Sequence, residues 1–261
     1  MKRQTPLTSH PDSDFVRVQT CCPIVELRQS TLHPGSRDTL IELFDREFVG
    51  SQEAVGMKVI GQFRDLDDPN RFVWLRGFHD MPSRAQALKE FYAGPVWKAH
   101  REVANATMID PDNVLLLRSA QAESGFSLEG MDRPPPGASE VPKGLVVATS
   151  YYFDAPAGDH FVDFFDLVVK PVLIGAGASI LAYFVTESSA NSFPALPVRE
   201  GENVFFWFSR FRDQVEHERH DAALARSPLW SVEISQELAR RVKRDPEVLT
   251  LSPTARSQLH D

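Results

Sequence analysis

The sequence has little cysteine, no long apolar run and no excess of positive charge. Its two cysteines, adjacent at Cys21 and Cys22, cannot form the disulfide framework of a small secreted domain, and they offer no spaced thiolates for zinc. The net charge of -8 argues against nucleic acid or an anionic membrane as the main partner, because both favour a concentrated basic surface. No apolar stretch is long enough to cross a bilayer. We therefore expect a cytoplasmic protein without integral membrane association.

The signature motifs of several enzyme classes are also missing. There is no Gly-x-Ser-x-Gly sequence, and Gly175 and Gly177 belong to neither a Gly-x-Gly-x-x-Gly motif nor a P-loop. His217 and His220 share one helical face, but they lack the His-Glu-x-x-His order of a zinc helix. A solvated charged face explains them better, so we predict no metal and no cofactor.

What the sequence does contain is an internal repeat. Residues 72–80 read FVWLRGFHD and residues 205–213 read FFWFSRFRD. The same shift aligns Trp97 with Trp230, so all four tryptophans fall into two pairs. Because tryptophan is rare, we interpret the chain as two copies of one unit. The identical positions of the two phrases are Phe72 and Phe205, Trp74 and Trp207, Phe78 and Phe211, and Asp80 and Asp213.

A segment rich in proline, glycine and serine separates the two copies. The sequence PPP stiffens this segment. At the N-terminus, two basic residues are followed by no apolar run, so we do not interpret the first residues as a signal peptide. We predict a mobile N-terminal arm at 1–19, a first domain at 20–118, a linker at 119–143, a diverged second domain at 144–253 and a C-terminal tail at 254–261.

The elements of each copy are predicted in the order β-α-β-β-α-β. In the first copy IVELRQSTL at 24–32 is a strand, a helix follows, and two strands flank the turn at 68–70. The second helix is predicted to break near Gly94 and Pro95, before a last strand. This order is the ferredoxin-like motif, a sheet with helices on one face. The predicted fold class is α+β, with two tandem ferredoxin-like halves.

Large aromatic residues are predicted on one face of each third strand. Trp74 and Phe78 would point to the same side in the first copy, as would Trp207 and Phe211 in the second. We expect this face to be free of helices, so that the two sheets pack against each other through it as an intrachain dimeric α/β barrel. The four aromatic residues are then candidate ligand-binding residues of a pocket between the halves.

Three charged residues are candidates for chemistry at that face. Glu26 and Arg28 share one side of the first strand, and Arg76 lies on the antiparallel third strand beside it. Arginine would hold a carboxylate or an enolate, and Glu26 would be the general base. The alternative is an internal ion pair that fixes the register of the halves. The matched positions of the second copy are uncharged: Val147, Thr149 and Ser209.

One histidine and two further tryptophans are also candidates for a functional role. His79 follows the third strand, and the simpler interpretation is a solvated histidine; the alternatives are proton transfer and haem ligation. Trp97 and Trp230 are expected to anchor helices on the sheet, with ligand stacking as the alternative.

Three segments of the first copy resemble the NIPSNAP family. They are ELRQSTLHPG at 26–35, FVWLRGFHD at 72–80 and GPVWKAHREVANATMIDPDNVLLLR at 94–118. The second copy departs from the pattern, since VAT replaces ELR at 147–149. The resemblance implies a dimeric α/β barrel but no agreed catalytic residues, because barrel relatives range from cofactor-free monooxygenases to haem binders and isomerases. It also makes a mitochondrial location an alternative to the cytoplasm.

The sequence leaves three functions open. The first is a NIPSNAP-like protein that binds a small organic or carboxylate-bearing ligand between its halves. The second is a cofactor-free monooxygenase or isomerase that uses Glu26, Arg28, Arg76 and His79. The third is a non-enzymatic interaction scaffold that uses the arm, the linker and an insertion at 186–203. Internal pairing of the copies predicts either a monomer with an internal pseudo-dimer or a homodimer.

Overall fold

A computed structural model of the chain describes residues 19–260, which form a closed antiparallel barrel of eight strands with helices on its outside. The predicted arm lies almost wholly outside the described residues. Around the barrel the strand order is β1-β3-β2-β8-β5-β7-β6-β4. The strands are β1 Ile24–Leu32, β2 Lys58–Asp65, β3 Arg71–Phe78, β4 Met108–Ser119, β5 Leu145–Phe153, β6 Ser179–Thr186, β7 Asn203–Phe211 and β8 Glu247–Pro253.

Helices follow the first and third strands of each half of the chain. In the first half they are α1 Arg37–Leu43, a π-helical turn Phe44–Phe48, α2 Val49–Glu53, α3 Met81–Ala93 and α4 Pro95–Thr107. In the second half they are α5 Asp159–Phe164, a π-helical turn Phe165–Val169, α6 Lys170–Gly175, α7 Gln214–Arg226, a π-helical segment Leu229–Ile234 and α8 Ser235–Arg241. No helix within residues 19–260 is both long and apolar enough to span a membrane.

Several local predictions are confirmed. β1 has the bounds that the sequence indicated, and the long second helix is divided between α3 and α4 at Gly94, whose backbone is extended. Pro95 begins α4, where its missing N–H costs nothing because the first N–H groups of a helix have no partner within it. The predicted α+β class is also observed, and the closed eight-stranded barrel is consistent with the predicted dimeric α/β barrel.

The barrel closes where the two halves of the chain meet. β2 pairs with β8 through three residue pairs, Phe63 to Pro253 among them, and β4 pairs with β6 from Leu117 to Thr186 onward. Both junctions are antiparallel, as are all the other strand pairs. The barrel of residues 19–260 thereby has no free sheet edge, which removes the usual site of edge-to-edge association.

Alternate residues of the strands fill the barrel interior. β1 contributes Val25 and Leu27, and β3 contributes Val73 and Leu75. The opposite wall is more aromatic, with Phe206 and Phe208 of β7 among its members. Packed side chains from both halves therefore occupy the space in which the sequence predicted a ligand pocket.

Two segments predicted to lie outside the domains also enter the interior. Phe126, in the predicted linker, is 1% exposed and lies 5.3 Å from Phe184 and 5.0 Å from Phe208 between ring centroids. Leu259, in the predicted tail, is fully buried and donates its backbone N–H to Ile60 O at 2.9 Å. The domain boundaries stay predictions, but both segments are part of the folded core.

Candidate functional site

The repeated aromatic residues lie on the outer face of the barrel, beneath the helices. Trp74 and Phe78 pack with residues of α1 and α3, and Trp207 and Phe211 pack in a separate cluster with residues of α5 and α7. The prediction that these side chains meet between the sheets is therefore wrong. β3 and β7 carry large apolar residues on both faces, so alternation separates the faces without indicating which one lies inside. A ligand-binding role for the four residues stays a prediction.

The aspartate that ends each repeated phrase caps a helix. Asp80 Oδ1 accepts a hydrogen bond from Ser83 N at 2.7 Å at the start of α3. Asp213 Oδ1 accepts one from Glu216 N at 2.8 Å at the start of α7. Such caps satisfy backbone donors that have no partner within the helix. The sequence pattern is repeated because β3 and β7 each pack beneath the helices of their own half. Each of these strands also leads directly into a helix, α3 or α7.

The predicted charged residues form a buried cluster on the helix-covered face of β1 and β3. Glu26 lies directly opposite Arg76, and Arg76 Nε donates to Glu26 Oε2 at 2.8 Å. Arg28 Nη1 donates to the same oxygen at 3.1 Å. Glu26 and Arg76 are fully buried, and Arg28 is 3% exposed. The sequence thus predicted the contacts of this cluster correctly but placed the cluster on the wrong side of the sheet.

Two further members of the cluster were missed. Arg84, one helical turn beyond the Asp80 cap, donates from Nε to Glu26 Oε1 at 2.6 Å. Gln52 Oε1 accepts a hydrogen bond from Arg76 Nη1 at 3.1 Å. The signal that could have found Arg84 is a charged residue on the sheet-facing side of a helix, and that side is known only once the helix is docked.

The cluster carries more positive than negative charge. The guanidinium groups of Arg28, Arg76 and Arg84 all lie within salt-bridge distance of the single carboxylate of Glu26. Burial alone would raise the pKa of Glu26, but the three arginines outweigh it and lower the pKa from 4.5 to about 2. Burial and the neighbouring Arg76 charge lower the pKa of Arg28 from its ordinary value. A carboxylate held this way is a poor general base at neutral pH, which argues against the predicted role of Glu26.

The pKa of Glu26 predicts acid sensitivity. Because the folded pKa lies below the unfolded one, the unfolded state takes up more protons as the pH falls through 4.5 towards 2. The stabilisation by Glu26 is fully present above pH 4.5 and is lost across this window, a change of about 3 kcal/mol in the free energy of unfolding. Urea unfolding of the wild type and of Glu26→Gln at several pH values isolates this contribution. We expect the difference to shrink on acidification, and a constant difference would contradict the assignment.

A cavity of about 130 Å³ lies beside the cluster, between the sheet and the helices of the first half. Arg28 is its charged wall residue, and the Arg28 Cζ atom lies 5.4 Å from the centroid of the Trp74 ring. Glu26 and Arg76 do not line this cavity. The other polar wall residues are Ser30, Gln52, Tyr92 and Asn105. The aromatic wall residues are Phe44, Phe48, Phe72, Trp74, Phe91 and Trp97.

The π-helical turn Phe44–Phe48 brings two rings to one wall of this cavity. The Phe44 ring centroid is 4.7 Å from that of Trp74, and Phe48 lies 5.5 Å from Trp97. Trp97, expected from the sequence as a helix anchor, does pack on Phe48 and Phe91, but it also faces the cavity. The ligand-stacking alternative for Trp97 therefore stays open.

The second half has no counterpart of the charged cluster among its described residues. Val147 pairs with Ser209, as Glu26 pairs with Arg76, and Thr149 pairs with Trp207. The corresponding space between sheet and helices holds the apolar cluster around Phe165 and Trp207. Within residues 19–260 the Glu26 cluster therefore occurs in the first half and is not repeated at the matched positions of the second.

The candidate histidines lie away from the cavity. The side chain of His79 is 88% exposed, and its Nδ1 lies 3.1 Å from Asp80 Oδ2, so its position does not support proton transfer at the cavity. His217 and His220 pack on Phe211, with ring centroids 4.8 and 5.0 Å from its centroid. Across residues 19–260, no three His, Cys, Asp or Glu side chains are grouped so that they could bind a metal ion together.

Comparison with known proteins gives likenesses of structure. Neither a protein-family model nor a curated protein sequence matches the chain. A provisionally assigned monooxygenase from Lactobacillus acidophilus NCFM matches over 90% of this chain and 94% of its own, with 16% identity and a TM-score of 0.52. A second provisionally assigned monooxygenase, from Fusobacterium nucleatum, matches over 89% of this chain and 93% of its own, with 11% identity and a TM-score of 0.53.

The structural neighbours also include NIPSNAP domain proteins, as the sequence resemblance predicted. An uncharacterised NIPSNAP domain protein from Burkholderia xenovorans covers 38% of this chain and 96% of its own, with 19% identity and a TM-score of 0.35. At such identities the likeness bears on the fold alone. The closed eight-stranded barrel and its likeness to the two monooxygenase structures over most of the chain are consistent with a dimeric α/β barrel closed within a single polypeptide.

Proposed function

We propose that this protein binds a small planar organic anion in the cavity between the sheet and the helices of its first half. The observation that supports this most strongly is the charge of the buried cluster, in which three guanidinium groups share one carboxylate. Uncompensated charge in a protein interior is costly, so a site of this kind favours an incoming anion. Of the three arginines only Arg28 lines the cavity, so Arg28 would contact the bound anion.

The walls and the size of the cavity limit the ligand to a flat group. The faces of Trp74 and Trp97 and the rings of the π-helical turn offer stacking surfaces. The volume of about 130 Å³ is close to that of an engineered protein cavity of about 150 Å³ that binds benzene. A carboxylate, enolate or phenolate on a single ring therefore suits the site.

This proposal moves the ligand from the interface of the halves to the first half. We retain the interpretation of the chain as two tandem ferredoxin-like halves of a NIPSNAP-like protein, of which only the first carries the site. The repeated strand and helix order and the matched helix caps support it. We also retain the predictions of no cofactor, no nucleic-acid partner and a cytoplasmic location.

A second candidate is cofactor-free oxygenation or isomerisation of an enolisable or phenolic substrate. The position of Arg28 favours it, because a buried guanidinium at the end of an aromatic cavity stabilises the anion that such a reaction must form. The two structural neighbours assigned as monooxygenases are consistent with it. Among the described residues, no carboxylate or histidine lines the cavity, so the substrate would have to ionise without a strong base.

The scaffold alternative loses much of its support. It required the insertion at 186–203 to be free for a partner, but Phe193 in this segment stacks on Tyr92 at 5.9 Å between ring centroids. Arg84 Nη1 also donates hydrogen bonds to Asn191 and Ser192 within it. A partner protein that bound to this segment would have to break these contacts.

The test combines ligand release with binding of a defined probe. Native mass spectrometry of the freshly purified protein, followed by denaturation, identifies any planar acid that is carried through purification. Calorimetric titration with benzoate then compares the wild type with Arg28→Met, for which we expect affinity to fall about 10- to 100-fold because a charge-assisted hydrogen bond is lost. The variant should fold, since Arg76 and Arg84 still hold Glu26.

The matched control is Arg101→Met, which removes an exposed arginine of α4 without touching the cavity. We expect its benzoate affinity to equal that of the wild type. Equal binding by the wild type and Arg28→Met, or no planar acid bound by the wild type, would overturn the proposed function.

A further inference from the structure

We infer that residues 187–202 of the second half, here called the strap, form a wall of the cavity in the first half and that Leu196 in the strap limits the size of the ligand. The inference rests on the proposed function for the anionic nature of the ligand. It does not depend on that function for the location of the wall, which follows from the contacts of the strap.

Both ends of the strap are fixed to β4 of the first half. Glu187 donates its backbone N–H to Leu116 O at 2.9 Å, and Arg199 donates its own to Val114 O at 2.8 Å. Arg199 also reaches Asn113 Oδ1 with its side chain at 3.2 Å. The strap therefore crosses from its own half onto the other half and is held there at two points.

The middle of the strap meets the cavity. Leu196 is one of the residues that line it, and Phe193 stacks on the wall residue Tyr92 with ring planes 15° apart. Within the strap, Asn191 Nδ2 donates to Leu196 O at 2.9 Å, which fixes the backbone that carries the Leu196 side chain. Leu196 is thus a wall residue supplied by the second half.

The strap is also tied to the charged cluster. Arg84 Nη1 donates to Asn191 Oδ1 and to Ser192 Oγ, each at 3.0 Å, while Arg84 Nε holds Glu26 at 2.6 Å. One guanidinium group therefore joins the buried carboxylate to the strap. This contact places the wall in a defined position relative to the arginine that would meet the anion.

The corresponding connection of the first half has no such role. Residues 66–70 join β2 to β3 by a much shorter path than the strap takes between β6 and β7. Leu66 donates its backbone N–H to Thr250 O of β8 at 2.9 Å, which matches the contact of Glu187 on β4, but the chain then turns straight into β3. Because the strap is longer, it can extend from the second half to the cavity of the first half and form one of its walls.

The test measures ligand size in variants of Leu196. We would titrate the wild type and Leu196→Ala with benzoate, with 3- and 4-butylbenzoate, and with the neutral pair toluene and n-butylbenzene. Removing the leucine side chain opens the wall, so we expect at least one butyl compound of each kind to bind about tenfold or more tightly to Leu196→Ala than to the wild type. Benzoate and toluene should change less. Glu200→Ala, at an exposed strap position, is the matched control and should behave as the wild type does.

The outcomes separate this inference from the proposed function. If the neutral compounds show the shift but no acid binds, the wall assignment stands and the proposed function fails. If benzoate binds through Arg28 while Leu196→Ala leaves the size preference unchanged, the function stands and the inference fails. Absence of binding by every probe to every variant would overturn both. Leu196→Trp supplies the opposite change and should weaken the binding of all probes.

Discussion

Replacing Glu26 by glutamine is expected to lower the free energy of unfolding by about 3–5 kcal/mol, because it leaves a buried set of positive charges without its counter-charge. Glu26 is fully buried and contacts Arg28, Arg76 and Arg84 through its two carboxylate oxygens. Glutamine keeps the shape of the side chain and one acceptor oxygen, so the loss reports charge rather than volume. Urea unfolding at neutral pH, followed by circular dichroism, measures the change.

The chain offers a matched control at the surface. Glu237 of α8 also forms ion pairs with two arginines, Arg240 and Arg241, but all three side chains are accessible to water. Water and salt screen such pairs, so Glu237→Gln should leave the free energy of unfolding nearly unchanged. If Glu26→Gln and Glu237→Gln lowered the free energy of unfolding equally, burial of the Glu26 cluster would not add to its stabilising effect.

A double variant tests whether the effect comes from unbalanced charge. Glu26→Gln combined with Arg84→Gln removes one negative and one positive charge from the cluster. We expect it to be more stable than Glu26→Gln alone, because fewer guanidinium groups are left without a counter-charge. If the two substitutions simply add, the arginines and Glu26 do not act as a unit.

The order of the elements could be predicted because it depends on local signals. The bounds of β1, the hairpin of β2 and β3 and the break at Gly94 follow from side-chain alternation and from proline and glycine chemistry. The pairing of Glu26 with Arg76 follows from the strand order of the motif. These predictions need no knowledge of how the helices dock on the sheet.

The side of the sheet on which the site lies could not be predicted in the same way. In β3, Val73 and Leu75 are as apolar as Trp74, so neither face of the strand is marked as the solvent face or the helix face. Only the docking of the helices settles the matter, because residues of the helical layer such as Phe44 pack on Trp74, whereas Val73 and Leu75 fill the barrel. A two-sided core is the physical limit of the alternation argument.

The contributions of the irregular segments could not be predicted either. The strap reads as a turn-rich insertion, and the composition of residues 119–143 is that of a linker. Composition averages over a segment, whereas a single aromatic residue such as Phe193 or Phe126 decides where it packs. The wall of the cavity and part of the barrel core were missed for this reason.

Replacing Phe126 by alanine is therefore expected to be among the most destabilising single changes in the chain, at about 3–5 kcal/mol in the free energy of unfolding. The ring is 1% exposed, and it packs on Phe184 and Phe208 inside the barrel, where its removal leaves a cavity that rigid strands cannot close. Urea unfolding measures the loss, with Glu123→Ala, at an exposed position in the same segment, as the control. A loss as small as that of the control would mean that residues 119–143 act only as a connection. The expected loss would mean instead that this segment is part of the folded barrel. The Phe126 ring packs on strands of the second half, and the Phe126 backbone oxygen accepts a hydrogen bond from Cys21 N just before β1 of the first half.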